Sequence, residues 1–256
     1  MASEKGASSW LTSLPLAEYG FRLEFVDAIC LRYDLKLTDV PMVCVCGDTF
    51  SISHSLTCGR GGFTIWRHDT IRNTIHDLVK DVCKDTRKEP GLIPVGDRQL
   101  PAGANRADGA RADVSTLGFW RPLCRAFFYV KVFNPLAKTN WTMEIPKMYT
   151  FHEGLKKVKY NARILEIDQG TFTPLIVSCT GGVSKETDKF IKKLAEKISL
   201  KKKEEYSNVV SFVRRRIRFD LLKACVTSLR GERHKRGFTG EATEGLDFGV
   251  QNFEAN

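Results

Sequence analysis

Residues 126–133 read AFFYVKVF, and the predicted fold is built outward from them. They are aromatic and β-branched, as the residues of buried strands usually are. Residues 113–117 also have strand character, and residues 118–125 between the two stretches begin with Gly118, which favours a turn. We therefore expect two paired strands here, with the rest of the chain packed around them.

The spacing of apolar residues predicts one further strand and five helices around this pair. The strand covers residues 173–179, TPLIVSC. The predicted helices cover residues 24–33, 66–84, 153–167, 185–201 and 205–229. Residues 85–111 contain three prolines and four glycines, so they are predicted to form a long loop. This order of elements indicates an α/β fold with a mixed sheet flanked by helices.

Two of the predicted helices have a distinct apolar side. In helix 153–167 that side consists of Leu155, Val158, Ala162 and Leu165. In helix 205–229 an apolar stripe predicts how the helix docks. The stripe contains Val210, Val213, Ile217, Leu221, Ala224 and Leu229.

Helix 205–229 also carries arginines beside its apolar stripe. These are Arg214, Arg215, Arg216 and Arg218. A guanidinium group donates two parallel hydrogen bonds to a phosphate, so these residues are predicted to bind nucleic acid. The alternative is that they only form a solvated, solubilising surface.

Charge is distributed unevenly along the 256 residues. The chain has a formal net charge of +10, and residues 185–236 alone contain 17 basic and 7 acidic residues. This concentration favours a polyanionic partner, DNA first and RNA second. The last twenty residues contain four acidic and no basic side chains, and we expect an acidic disordered tail there. A hydrophobic content of 42% argues against disorder of the whole chain.

Several other classes of protein are excluded by the sequence. No run of about 18 apolar residues exists, so no membrane-spanning helix is predicted. The first residues, MASEKGASSW, lack the charged start and apolar core of a secretory signal. No motif indicates a small-molecule substrate.

A metal-binding pattern lies before the strands. Cys44, Cys46, His54 and Cys58 form C-x-C-x7-H-x3-C, which offers three thiolates and one imidazole to zinc. Gly47 allows the sharp turn that such a loop needs. Four protein ligands leave no open position, so the site is expected to be structural. The alternative is a chance grouping of these four residues.

The paired strands carry an acid and a lysine of possible catalytic use. Asp113 starts the first strand, and Lys131 lies on the second, on the same face as Tyr129 because strand side chains alternate. Metal-dependent nucleases hold Mg²⁺ with carboxylates in such an arrangement, and a lysine helps to position the nucleophile. Tyr129 stands where the second carboxylate is needed. The alternative is an ordinary charged pair at a strand end.

An ordered series of motifs resembles the C-terminal region of non-LTR retrotransposon polyproteins. In chain order the motifs are CVCGDTFSISHSLTC, GGFTIWRHDTIRN, EPGL, ARADV, GFW and AFFYVKVFNP. The leader GASSWLTSLPLAEYGF and the later TFTPLIVSCTGG and SLRGER resemble a metazoan branch, so the similarity spans residues 6–233. In that family the region is a zinc knuckle followed by a restriction-like endonuclease of the PD-(D/E)xK class. The resemblance implies the same fold here.

The resemblance also implies roles for individual residues. The family's nuclease nicks DNA so that the cut end primes reverse transcription; the Tyr-x-Asp-Asp motif of the polymerase does not occur in this chain. By position, Asp113 matches the first Mg²⁺-binding acid and Lys131 the basic residue. Lys157 and Tyr160 match a downstream catalytic pair.

The motif after the knuckle supplies two more residues and some departures. Arg67 and His68 match a motif that is expected to position DNA. Tyr129 replaces the second acid, and Thr70 and Asn73 stand where related sequences tend to have Glu and Asp. Cleavage is therefore expected to be weakened, and Tyr129 is kept among the candidate catalytic residues as the altered position.

These observations divide the chain and leave three hypotheses for it. The predicted segments are a leader (1–40), a zinc knuckle (41–64), a restriction-like endonuclease core (65–183), basic helices (184–236) and an acidic tail (237–256). The first hypothesis is a retroelement-derived, Mg²⁺-dependent DNA endonuclease of nuclear location, cytoplasmic before import. The alternatives are a catalytically inactive, zinc-stabilised nucleic-acid-binding module and a zinc-stabilised interaction protein without nucleic acid.

Overall fold

The computed structural model describes residues 22–33 and 35–233. Residues 1–21 of the predicted leader, residues 234–236 of the basic segment and the predicted acidic tail lie outside the described residues. Within the described ranges, no helix combines the length and apolarity that crossing a bilayer requires.

Six helices and four strands make up the described chain. In chain order they are α1 (Arg22–Tyr33), α2 (Ile52–Thr57), α3 (Phe63–Val82), β1 (Lys84–Lys88), β2 (Val114–Leu117), β3 (Arg125–Phe133), α4 (Ile145–Glu166), β4 (Thr171–Ser178), α5 (Lys185–Lys202) and α6 (Tyr206–Arg230). Short 3₁₀ turns occur at Arg60–Gly62 and Lys138–Asn140.

The four strands form one mixed sheet in the order β1-β2-β3-β4. β1 pairs with β2 and β2 with β3 in antiparallel fashion, whereas β3 and β4 are parallel along their whole length. α4 connects β3 to β4, as a parallel pair requires a crossover. The predicted α/β class, with a mixed sheet flanked by helices, is confirmed.

One face of the sheet is covered by α3 and α5, and α6 packs against these two helices. Its core includes Phe128 of β3, whose ring lies 5.0 Å from Phe119 and 4.9 Å from Phe190, centroid to centroid. The predicted apolar stripe of α6 is buried in this layer, so that prediction is confirmed. Burying these side chains supplies the main driving force for the fold.

α4 covers the opposite face of the sheet. It buries Tyr160 and Ile164 against β3. The predicted apolar side of this helix points the other way, since Leu155, Val158 and Leu165 are each more than half exposed. The sheet-facing side is occupied by larger and partly polar side chains, which the apolar spacing alone does not identify.

A buried arginine on α4 holds the long loop between β1 and β2. Arg163 has no exposed surface and donates hydrogen bonds to the carbonyl oxygens of Asn105 (2.9 Å), Ala107 (2.8 Å) and Ile93 (2.9 Å). These bonds satisfy backbone acceptors that a loop packed on a helix would otherwise leave without partners. Arg163 therefore fixes the loop that leads into Asp113.

The first and last helices of the described chain meet. Asp27 of α1 is 1% exposed and accepts two hydrogen bonds of 2.5 Å from Arg230 of α6. Beside this pair Ala28 packs against Val226. α1 is thus held on α6 by a charged pair and this apolar contact, and its Cys30 and Leu31 join the main hydrophobic core.

Candidate functional site

The four predicted zinc ligands come together in the structure. The candidate ligand atoms of Cys44, Cys46, His54 and Cys58 all lie within 4.8 Å of one another. The Sγ atoms of Cys44 and Cys58 are 3.9 Å apart, and Cys46 Sγ is 3.3 Å from His54 Nε2. Tetrahedral zinc gives about 3.8 Å between two sulfurs and about 3.6 Å between sulfur and nitrogen, so the donor set fits this metal.

Local backbone structure brings these ligands together. Gly47 has a φ of +97°, and its N–H donates to the carbonyl oxygen of Cys44 (2.8 Å), which closes a tight turn between the first two cysteines. The side chain of Ser51 then caps the short helix α2 by accepting from the His54 N–H (3.1 Å). The helix presents His54, and Cys58 follows at its end. None of the five helices predicted from the sequence covers this segment; α2 forms here because the Ser51 cap starts it.

Electrostatics in the cluster favour a thiolate at Cys44. Burial raises the pKa of this thiol, but hydrogen bonds from the Cys46 backbone and from the side chains of His54, Cys46 and Cys58 lower it to about 7. Asp48 Oδ2 lies 3.6 Å from His54 Nδ1 and 3.6 Å from Cys46 Sγ. A carboxylate in that position orients a ligating imidazole.

Contacts with the rest of the chain hold the knuckle in place. Ser53 donates to the carbonyl oxygen of Leu136 (2.8 Å), and Asn134 Nδ2 donates to the Ser53 carbonyl (3.2 Å). Arg67 is 3% exposed, and its Nη2 donates to the Leu56 carbonyl (2.8 Å). From this interior position Arg67 supports α2 and does not reach a phosphate, which differs from the DNA contact predicted for it.

Asp113 lies immediately before β2, as predicted, and has two polar neighbours. Its Oδ2 accepts from the Val130 N–H at 2.7 Å and lies 3.5 Å from His68 Nε2. Burial lowers the pKa of His68, but Asp113 and Asp69 outweigh this and raise it. His68 thus faces the predicted catalytic acid, at 3.5 Å.

Tyr129 occupies the position beside Asp113. Val114 pairs with Phe128, and continuing the antiparallel register places Asp113 next to Tyr129. Tyr129 is 2% exposed, its ring stacks on that of Tyr160, and its buried hydroxyl has no hydrogen-bond partner in the described part of the chain. Burial, with Tyr160 and Asp113 nearby, raises the pKa of this phenol, so the hydroxyl stays neutral.

A lysine that the sequence did not single out lies above these two rings. The Nζ atom of Lys156 is 5.4 Å from the ring centroid of Tyr129 and 5.5 Å from that of Tyr160. Burial lowers the pKa of Lys156; Asp113 raises it, and Lys131 lowers it further. Lys156 therefore interacts electrostatically with both predicted catalytic groups, the acid and the lysine.

The remaining predicted catalytic residues lie at different places. Lys131 is exposed on β3. Burial and then Lys131 lower the pKa of the half-buried His152. Tyr160 faces the sheet. Lys157 points away from this region, and its Nζ lies 3.9 Å from Glu186 Oε1. A helix turns about 100° per residue, so Lys156 and Lys157 cannot face the same neighbours.

The residues around Asp113 do not fit a magnesium ion. Mg²⁺ needs oxygen ligands, usually one or two carboxylates together with water. Asp113 is the one carboxylate at the predicted position. The uncharged ring of Tyr129 stands where the second carboxylate is needed, and the ammonium of Lys156 lies over that ring. Across residues 22–33 and 35–233, the knuckle is the one group of three or more acids, histidines or cysteines with converging ligand atoms.

The arginines of α6 are largely engaged within the chain. Arg214 pairs with Asp188 at 2.9 Å and Arg216 with Asp220 at 2.9 Å, while Arg218 donates to the Gly181 carbonyl at 3.1 Å. Arg215 is exposed. The predicted nucleic-acid face of this helix thus presents less uncompensated charge than the sequence suggests.

Comparison with known proteins leaves this geometry without a family assignment. No protein-family model matches the chain, and a search of curated proteins finds no match.

Proposed function

We propose that the chain is a zinc-stabilised nucleic-acid-binding module with a restriction-like core, derived from a retroelement endonuclease. The observation that carries this proposal is the position beside Asp113: a neutral, stacked tyrosine with a lysine above it takes the place of a second acid. The net charge of +10 supports a polyanionic partner. DNA is the preferred partner, RNA the second, and a nuclear location is part of the proposal.

Zinc is the structural component of the proposed module. Three sulfurs and one nitrogen at tetrahedral spacing support this metal over Mg²⁺ or Ca²⁺, which take oxygen ligands. The metal would fix the turn at Gly47 and helix α2 as one unit. Its chemistry there is structural, since all four ligand positions are filled by the protein.

The binding proposal is tested by fluorescence anisotropy with a labelled DNA duplex at increasing potassium chloride. Contacts to phosphates predict that the logarithm of the association constant falls by about 0.9 per contact for each decade of salt. Unlabelled RNA duplex and single-stranded DNA as competitors rank the partners. Absence of binding, or binding that does not respond to salt, would favour the interaction protein without nucleic acid.

Weak metal-dependent cleavage is a second candidate function. It is supported by the ammonium of Lys156, whose pKa burial lowers, Asp113 raises and Lys131 lowers further, since both predicted catalytic groups act on this one side chain. A plasmid-nicking assay with Mg²⁺ or Mn²⁺ tests it on the native chain, Asp113→Ala and Tyr129→Asp. Nicking by the native chain that disappears in Asp113→Ala would establish the nuclease; nicking by Tyr129→Asp alone would indicate a lost activity.

A further inference from the structure

We propose that Lys156 takes the place of a divalent cation beside Asp113 and, with Lys131, binds one phosphate group of the nucleic-acid backbone without metal. This inference rests on the proposed function and adds to it the site and the chemistry of the contact.

The first support is the way in which Lys156 is held. Tyr129 and Tyr160 stack with their ring centroids 4.0 Å apart and form an aromatic platform between β3 and α4. The Lys156 ammonium lies 5.4 Å from one ring centroid and 5.5 Å from the other, so it sits at the side of the stack, within the distance at which an aromatic ring attracts a cation. Lys156 thus has a defined position, whereas a surface lysine samples many.

The second support is the balance of charge around this position. Burial lowers the pKa of Lys156, Asp113 raises it, and Lys131 and Lys159 lower it further, so Asp113 is the one carboxylate among these neighbours. Asp113 is already bonded to the Val130 N–H and adjoins His68. Three ammonium groups near a single carboxylate leave an excess of positive charge, which an anion relieves and a divalent cation would increase.

The third support is that the position remains reachable. Lys156 is partly exposed, Lys131 on β3 is exposed, and Lys159 on α4, whose ammonium lies 5.4 Å from the Tyr160 ring centroid, is also exposed. A phosphodiester oxygen can therefore approach from solvent. An ammonium group suits this ligand as a compact point charge with three donors.

The test compares Lys156→Met with Lys147→Met in the anisotropy titration. Methionine keeps the unbranched apolar stem beside the rings and removes the charge. We expect Lys156→Met to weaken DNA binding roughly tenfold and to reduce the salt slope by about 1. Lys147→Met, on the same helix and paired with Glu144, should stay within about twofold of the native chain. Lys131→Met is a second variant at an exposed position, with the same expected direction.

The role of metal is tested by adding Mg²⁺ at constant ionic strength, because a chelator would also remove zinc. Mg²⁺ should weaken binding by the native chain through competition for phosphate. Tighter binding with Mg²⁺, lost in Asp113→Asn, would overturn the inference in favour of a metal bridge. If Lys156→Met and Lys131→Met bind DNA with the affinity and salt slope of the native chain, this inference is overturned and the proposed function still stands. Absence of DNA binding by the native chain would overturn both.

Discussion

The rings of Tyr129 and Tyr160 stack with centroids 4.0 Å apart and planes inclined by 24°. This contact joins β3 to α4 at the point where the retroelement resemblance places a metal-binding acid. A buried aromatic pair stabilises the fold, whereas a buried carboxylate without a metal would cost free energy. The position therefore serves packing in this chain.

Removing the Tyr129 hydroxyl should stabilise the protein. The hydroxyl is buried and has no hydrogen-bond partner among the described residues, while the ring makes the packing contacts. We expect Tyr129→Phe to raise the free energy of unfolding by about 1 kcal/mol, measured by urea denaturation. Tyr129→Ala should lower it by about 3–5 kcal/mol and serves as the opposite control. A loss of stability in Tyr129→Phe would show that the hydroxyl has a partner.

The knuckle should contain about one zinc ion per chain. Metal analysis of the purified protein by mass spectrometry should lose that ion in Cys58→Ser, because three ligands hold zinc far less tightly than four. Cys83→Ser is the matched control, since Cys83 lies outside the cluster. Equal zinc content in both variants, or a metal-free native chain with an ordered knuckle, contradicts the assignment.

Stability should depend on pH through His68. Burial lowers the pKa of this imidazole, but Asp113 and Asp69 raise it above its usual value. Because the pKa of His68 is raised in the folded state, the stabilisation that His68 contributes is complete below about pH 6.5, the pKa of histidine in the unfolded chain. It is lost as the pH rises through the pKa of His68 in the folded chain. The difference in unfolding free energy between the native chain and His68→Gln should therefore shrink with rising pH. A difference that grows with pH would contradict this sign.

The ion pair between α1 and α6 should contribute substantially to stability. Asp27→Asn leaves Arg230 with a weakened partner at a site where Asp27 is 1% exposed, and we expect a loss of about 2–4 kcal/mol by urea denaturation. Arg230→Lys should also lose stability, because an ammonium cannot reproduce the two parallel bonds. Arg215→Ala, at an exposed position of the same helix, should change stability by no more than about 0.5 kcal/mol. Equal losses in all three variants would exclude a specific role for the pair.

The elements with strong apolar patterns were predictable from the sequence, and the charged or short ones were not. β3 is a nearly continuous run of buried apolar residues and α6 buries residues at helical spacing, so their positions were found to within a few residues. β1 reads KDTRK and lies at the edge of the sheet with most of its side chains exposed, so it has no apolar alternation. Its pairing with β2 is a tertiary effect that a local pattern does not contain.

The candidate site was predictable in its knuckle and only in part around Asp113. The spacing of Cys44, Cys46, His54 and Cys58 identifies the cluster, because ligand types are visible in the sequence. Lys156 was missed because the helix phase was taken from exposed apolar residues such as Leu155 and Val158. Tyr160 and Ile164, which are buried, give the correct phase and place Lys156 on the side of the sheet.

The pairing of Asp27 with Arg230 has a consequence for biosynthesis. These residues are 203 positions apart, so α1 leaves the ribosome long before its docking partner α6 is made. The four strands of the sheet and α4 are synthesised before α6, so they can assemble first. During translation the inner side of α1 therefore remains uncovered until α6 is synthesised. In that interval it offers a binding surface to chaperones that cover apolar helices.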